Sequence, residues 1–397
     1  MVYLYLMKSF RIKFRKNIVD PFLDFIHDSR AVGIILLICT AVALILANTN
    51  VASFFFSVIN IDISVLTNTT IHLPHTLLHW INDGLMAVFF FLVGMEIKRE
   101  ITRGELSSFS QAILPLVAAI GGMVVPALIF FFINKGTAYA NGWGIPMATD
   151  IAFSLGIAAL LGSRVPLGLK IFLTALAIID DLGAILAIAI FYSETIHWVY
   201  LGIAAIIFLV LYLLMRYKIF GFFNFLLGIL LWYCFYNSGI HATLAGVFFA
   251  FFIPIEKLTA IEHKLHTPVN FLIIPIFALA NTAILLPDDI LGALNTNLSW
   301  GIIAGLCIGK PLGIFAACYL TIQFKWGTLP ANTSWRHIIG AGILAGIGFT
   351  MSIFIATLAF TNSATIDVAK ISALAGSFLS IILGIVWLRF FCKPLTP

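Results

Sequence analysis

From Ala31 onward the chain is a succession of apolar segments joined by short polar connections. Each is long enough to cross the roughly 30 Å hydrocarbon core of a bilayer as a helix. They lie near 31–48, 76–97, 111–133, 139–162, 167–192, 198–215, 219–236, 240–255, 268–286, 299–321, 337–360 and 368–391, twelve in all. This pattern predicts an all-α polytopic membrane protein. Composition agrees, with 61% hydrophobic and only 10% charged residues, outside globular usage. The net charge of +5 is no sign of nucleic acid, because the basic residues sit in the loops between apolar runs, as in membrane topology signals. Five scattered cysteines without CxxC spacing indicate neither a disulfide framework nor a zinc site. No cleavable signal peptide is read at the start, since the basic opening runs into a Phe-rich, charged stretch.

Charge orients the helices. With a cytoplasmic N-terminus, 19 of the 22 Lys and Arg residues fall in inner segments. Lys135 and Lys370 fall outside, and Lys310 lies within a span. This asymmetry predicts both termini on the cytoplasmic side and an even number of spans. Residues 8–28 place Phe10, Phe14, Ile18 and Phe22 at helical spacing between basic residues, which reads as an amphipathic helix on the inner surface. In the long outer connection 49–75, the alternation over Ile59–Val65 and the turn cluster after it predict a small β-hairpin. A two-stranded ribbon is marginal alone, so this hairpin is expected to pair with the rest of the protein or with a second copy.

Inside the apolar run Thr174–Ile190 stand two adjacent carboxylates, Asp180 and Asp181. An acid at the centre of a membrane helix costs roughly 2.5–3.5 kcal/mol, so the pair marks a functional site unless something else uses it. Successive helical residues diverge by about 100°, so the two acids flank one small space rather than share a face. Such a pair titrates as a unit and offers the oxygen ligands that hard cations prefer. Asp83, Asp150 and Lys310 are the other intramembrane ionisable groups. Unpaired, the five would cost on the order of 12–17 kcal/mol, comparable to a whole domain's stability, so they must be paired, protonated or hydrated. Asp83, in Trp-Ile-Asn-Asp-Gly, sits nearer the outer mouth and is read either as a helix-docking residue or as part of the transport path.

Two spans look broken. Gly142-Trp-Gly-Ile-Pro-Met-Ala-Thr-Asp150 interrupts the fourth, and four glycines between Gly340 and Thr350 interrupt the eleventh. Corresponding interrupted helices point to a transporter site, and the opposite directions of the two spans make units 111–192 and 299–391 candidate inverted repeats. Asp150, after Thr149, is placed to offset the partial charges of exposed helix ends. At the inner surface Glu96 and Glu100 share a helical face, and Glu262, His263 and His266 open the ninth span. His and carboxylate groups titrating near neutrality are candidate regulators, with a solvated helix end as the plainer alternative. His241 reads as a packed core histidine.

The strings Trp80–Glu100, Ala148–Phe153, Ala177–Gly183, Gly239–Gly246 and Gly346–Phe354 together resemble the NhaA family of bacterial sodium/proton antiporters, over residues 20 to 391. The resemblance implies an inner-membrane antiporter, not an enzyme, that exports Na⁺ or Li⁺ against entering protons without a cofactor. It implies an electrogenic, pH-regulated cycle of alternating access. Asp181 becomes the principal cation and proton carboxylate, Asp180 its neighbour and Lys310 the partner of Asp180. Thr149 and Asp150 lie where the broken helices cross, with Asp83 and Thr350 accessory. Glu96, Glu100, Glu262, His263 and His266 form the inner pH-sensing region. The family's division implies a core bundle (111–192 and 299–391) and an interface bundle (31–97 and 198–286), the latter dimerising partly through the outer hairpin.

Two other classes are weighed against this one. Intramembrane aspartyl proteases also use paired aspartates and a Pro-Ala-Leu string, present here at Pro126–Leu128. They need a Gly-x-Gly-Asp segment and acids on separate helices, whereas Asp180 and Asp181 are adjacent. A passive cation channel is separated by function, because a channel conducts without a counter-ion.

Overall fold

In the computed structural model, residues 29–63, 72–192, 195–287 and 289–393 are described. The chain runs through α1 (Ser29–Ala47), α2 (Ala52–Ile59), α3 (Leu77–Arg103) and α4 (Phe109–Asn134). A 3₁₀ segment, Ala140–Met147, then precedes α5 (Ile151–Leu160), α6 (Leu167–Phe191), α7 (Trp198–Arg216) and α8 (Phe222–Tyr236). The second half comprises α9 (Leu244–Ala250), α10 (Ile255–Pro268), α11 (Ile274–Asn281), α12 (Ile290–Leu294), α13 (Asn297–Gln323), α14 (Trp335–Ala345), α15 (Phe349–Ala359) and α16 (Ser363–Phe391).

Among the described residues seven helices are long and apolar enough to cross a membrane, or nine when two bent pairs each count as one span. Those pairs are α1 with α2, bent by 117°, and α14 with α15, bent by 46°. The apolar segments expected near 219–236, 240–255 and 268–286 form shorter or irregular helices. These are the 15 residues of α8, the 7 of α9, and a π-helical turn, Val269–Ile273, leading into α11. The outer connection departs from expectation: Ile59 ends a helix instead of opening a strand, because the preceding Ala52-Ser-Phe-Phe-Phe run is apolar enough to continue helically. A single antiparallel bridge, Asp62 to Thr76, is its only β pairing among the described residues. Residues 64–71 of the expected hairpin and the surface helix expected over 8–28 lie outside the described residues.

Outward faces are apolar: Ile206 is 63% exposed, Phe222 77% and Phe390 74%. That is the surface a hydrocarbon solvent requires. Without a hydrophobic drive between helices in lipid, close backbone approach supplies the packing. Gly305, Gly309 and Gly313 recur every four residues on α13; Gly309 and Gly313 lie against α4, and Gly305 lies against Pro146 of the 3₁₀ segment. A Cβ on Gly309 would come within 2.7 Å of the Pro126 Cα, and one on Gly121 would overlap the Gly313 carbonyl. This seam positions the helix that carries Lys310. Phe354 of α15 packs on Phe90 of α3 (5.5 Å) and Phe277 of α11 (6.2 Å), joining the two halves of the chain.

Candidate ion site at two broken spans

Helix α6 brings Asp180 and Asp181 to the centre of the molecule, 0% and 3% exposed. Its flanking residues are small or aliphatic, so nothing in the local sequence interrupts the helix there. Lys310, also 0% exposed, follows a π-helical turn, Gly305–Gly309. π turns recur at functional sites. The Lys310 ammonium lies 2.5 Å from Asp180 Oδ2 and 2.7 Å from Thr149 Oγ1. The Thr149 hydroxyl is in turn 2.8 Å from Asp180 Oδ2 and 2.9 Å from the Ala345 carbonyl. It accepts from Lys310, and its single proton serves one of the other two.

The 3₁₀ segment stops at Met147 because Ala148 is extended and Asp150 caps α5, its Oδ1 accepting from Phe153 N at 3.1 Å. In the second broken span α14 ends at Ala345, and α15 begins at Phe349. Asp150 reaches across to that start, its Oδ2 accepting from the Thr350 amide at 3.2 Å and from the Thr350 hydroxyl. One carboxylate thus faces the N-termini of two half-helices, where partial positive charge gathers. The Asp150 amide donates to the Ile347 carbonyl at 2.6 Å. The orphan carbonyls at the other ends are met by two hydroxyls, Ser154 to Leu344 O (2.9 Å) and Ser352 to Ile145 O (2.8 Å).

On α6 two buried carboxylate oxygens lack a hydrogen-bond partner, Asp180 Oδ1 and Asp181 Oδ1. For Asp180 the other oxygen is doubly engaged. The spacing of adjacent carboxylates is therefore used asymmetrically: one is neutralised by a lysine and the other turns an unmatched oxygen into the interior. A buried ionised oxygen without partner is costly, and unlike Asp180, Asp181 has no cationic side chain bonded to it. Among the described residues no group of three or more His, Cys, Asp or Glu is arranged to hold a metal ion. Asp180 and Asp181 offer carboxylate oxygens, the ligand type that hard cations prefer.

The inner cluster also assembles. Arg99 bridges Glu100 (3.0 Å) and Glu262, and Lys98 donates to the Phe251 and Ile253 carbonyls at 2.7 and 2.6 Å. Glu262, in α10, is buried with Oε2 unpartnered. Burial pushes its carboxyl above the usual range, and the Arg99 guanidinium pulls part of the way back. Glu96 lies on the same helix as Arg99 and Glu100, near Glu262. His263 and His266 lie exposed on α10, the latter ring about 3.1 Å from the Asn270 amide. Asp83 sits in a π-helical turn, Trp80–Leu85, on α3, where its carbonyl accepts from the Trp232 indole at 2.9 Å. His241 is half-buried, its Nε2 at 2.8 Å from the Tyr192 carbonyl.

The sequence reading did not single out Ser154 and Ser352. A lone serine in an apolar run is unremarkable, yet each follows the first residue of its half-helix, Ile151 or Phe349, by three positions. That shared offset was the available signal.

Residues 23–388 match the family described as Na⁺/H⁺ antiporter 1. The Na⁺/H⁺ antiporter NhaA 2 of Flavobacterium johnsoniae is 50% identical over 380 residues, covering 94% of this chain and 93% of the relative. The NhaA 1 antiporter of Clostridium beijerinckii is 47% identical, covering 94% and 96%. The NhaA antiporter of Salmonella arizonae is 48% identical, covering 92% and 97%. A match across nearly the whole chain, including both broken spans and the Asp-Asp pair, makes this chain a member of the NhaA-type Na⁺/H⁺ antiporter family, a multi-pass transporter of the bacterial inner membrane and not an enzyme.

Proposed function

We propose that Asp181 is the carboxylate at which Na⁺, or Li⁺, and protons compete, with Asp180, Lys310, Thr149, Asp150 and Thr350 forming its surroundings. The observation that carries this reading is the unpartnered, buried Asp181 Oδ1 beside an Asp180 already neutralised by Lys310. Competition for one site makes exchange obligatory. If the pair gives up two protons for one Na⁺, the cycle moves net charge and responds to voltage.

The two broken spans are read as the crossing elements of inverted repeats, 111–192 and 299–391. Support comes from their common spacing: Ile151 and Phe349 open the second halves 198 residues apart, and Ser154 and Ser352 keep that interval. The remaining finer points follow the same reading: a core bundle moving against an interface bundle, cytoplasmic termini, a homodimer, and regulation by pH through Glu96, Glu100, Glu262, His263 and His266. Asp83 is assigned an accessory role near the outer mouth.

The test is transport in proteoliposomes. Na⁺ gradients are expected to drive proton movement, and Asp181→Asn is expected to abolish it while the protein still folds. Exchange by Asp181→Asn near the parental rate would remove Asp181 from the site. Conductance without a counter-ion would favour a channel.

A further inference from the structure

Each broken span begins with a short segment whose far end needs an anchor. The 3₁₀ segment Ala140–Met147 leads into Thr149 and Asp150, and α14 leads into the Ala345 and Ile347 carbonyls that these two residues engage. A change of tilt in either segment therefore moves one side of the ion site against the other.

The first anchor is Tyr192, the residue after α6. Its hydroxyl donates to the Asn141 carbonyl at 2.8 Å and accepts from the Gly144 amide at 3.2 Å. The ring stacks on Trp143 with centroids 6.1 Å apart, and Phe191 meets Trp143 edge-on at 5.0 Å. Gly144 permits this approach, since a Cβ there would lie 2.7 Å from the Tyr192 oxygen.

The corresponding place in the second unit is the end of α16. There the Trp387 indole donates to the Arg336 carbonyl at 2.9 Å, in the first turn of α14. The ring stacks on Phe391 at 4.6 Å, and Arg336 reaches back to the Phe391 carbonyl at 3.4 Å. A Cβ on Gly340 would overlap the Leu388 side chain first, at 2.3 Å from Cδ2, and would approach Trp387 Cδ1 to 3.3 Å. The two arrangements share one plan. An aromatic side chain at the end of the unit's third helix donates a hydrogen bond to the backbone of the unit's broken span, beside a glycine and a stacked ring.

We propose that Tyr192 and Trp387 are a matched pair of positioning residues, one at each end of the core, which hold the leading segments of the two broken spans so that Thr149, Asp150 and the Ala345 carbonyl keep ion-binding geometry. Neither residue touches the ion. The proposal rests on the antiport reading above for its site, and it adds residues and a role that the reading does not contain.

Tyr192→Phe and Trp387→Phe each remove the donor and keep an aromatic ring. A hydrogen bond of about 0.5–1.5 kcal/mol corresponds to a two- to tenfold change, so each variant is expected to raise the apparent KM for Na⁺ by that factor. Maximal rate per folded molecule should stay near parental. The Kd for Na⁺ from calorimetry in detergent should rise by the same factor, which separates site geometry from transport. Unchanged Na⁺ affinity in both variants overturns the proposal. A lower melting temperature or lower maximal rate with unchanged KM and Kd also overturns it, because that is the signature of packing alone. Should one variant fail to fold, the other carries the test. A parental protein that binds Na⁺ without exchanging it would sink the antiport reading, and the calorimetric comparison would still judge the anchors.

Discussion

Replacing the Asp180–Lys310 pair tests the electrostatics of the site most directly. Both side chains are 0% exposed and meet at 2.5 Å. Removing one partner strands a charge in a dry interior and costs about 3–5 kcal/mol, whereas a neutral pair of similar size is often neutral or stabilising. Lys310→Gln leaves Asp180 Oδ2 with the Thr149 hydroxyl alone, and Asp180→Asn leaves the ammonium with Thr149 and its weak acceptor. Carrying the usual per-residue unfolding entropy to this chain length gives roughly 1–2 °C per kcal/mol. Each single variant should therefore melt about 3–10 °C below the parent, and the double variant should recover most of that loss. The assay is thermal unfolding in detergent of the parent, both singles and the double, with transport in proteoliposomes under an imposed potential. If one proton travels on this pair, the double variant keeps some exchange through Asp181 with weaker voltage dependence. A double variant no more stable than the worse single would refute the pairing argument. Undiminished voltage dependence would make Lys310 a structural tie between α13 and α6.

At the inner rim, burial raises the Glu262 pKa, so its neutral form favours folding at low pH, and that contribution is lost as pH rises through the folded-state pKa. Glu262→Gln fixes the neutral form. It should flatten the stability loss over that window and move the activity profile to more alkaline pH with its maximum retained, as read by exchange rate against pH; loss of transport at every pH would make the rim part of the ion site. In the α4–α13 seam, Gly309→Ala sets a methyl 2.7 Å from the Pro126 Cα, a backbone atom that has to shift. Overpacking of this kind costs about 1–3 kcal/mol, so melting should fall by a few degrees and Na⁺ affinity should fall with it, since Lys310 is the next residue.

The breaks in the fourth and eleventh spans were legible because Gly, Pro and a Thr-Asp pair stand out in apolar sequence, and they fall at 148–150 and 346–348. Hydropathy reports apolar length but not helical regularity. It therefore could not distinguish full spans from the seven-residue α9 or from the π turns in α3 and α13. Of the alternation at Ile59–Val65, Ile59 closes a helix and Asp62 bridges Thr76 in antiparallel pairing, while 64–71 lie outside the described residues. The Asp180–Lys310 contact joins residues 130 apart in sequence. The cost of unpaired membrane charges demanded a partner for Asp180, but only the resemblance named which one. The Gly305, Gly309 and Gly313 repeat was readable as a small-residue face for close helix packing.

On the proposed mechanism, the charges at the crossing explain why one acid is left for transport. Asp150 is committed to two helix N-termini through Phe153 and Thr350, and Asp180 is committed to Lys310 and Thr149. Both serve the standing structure, since removing either exposes partial or full positive charge in a region that cannot hydrate it. Asp181 carries no such debt: its Oδ1 has no donor, so on the proposed mechanism its charge is met only by what enters from solution. A proton meets it as well as Na⁺ does, and an unmatched carboxylate at that depth costs several kcal/mol. If the core bundle moves as proposed, an empty, ionised Asp181 is too costly to cross the membrane with it. The same cost that locates the site in the sequence thereby forbids the slip that would turn an antiporter into a leak.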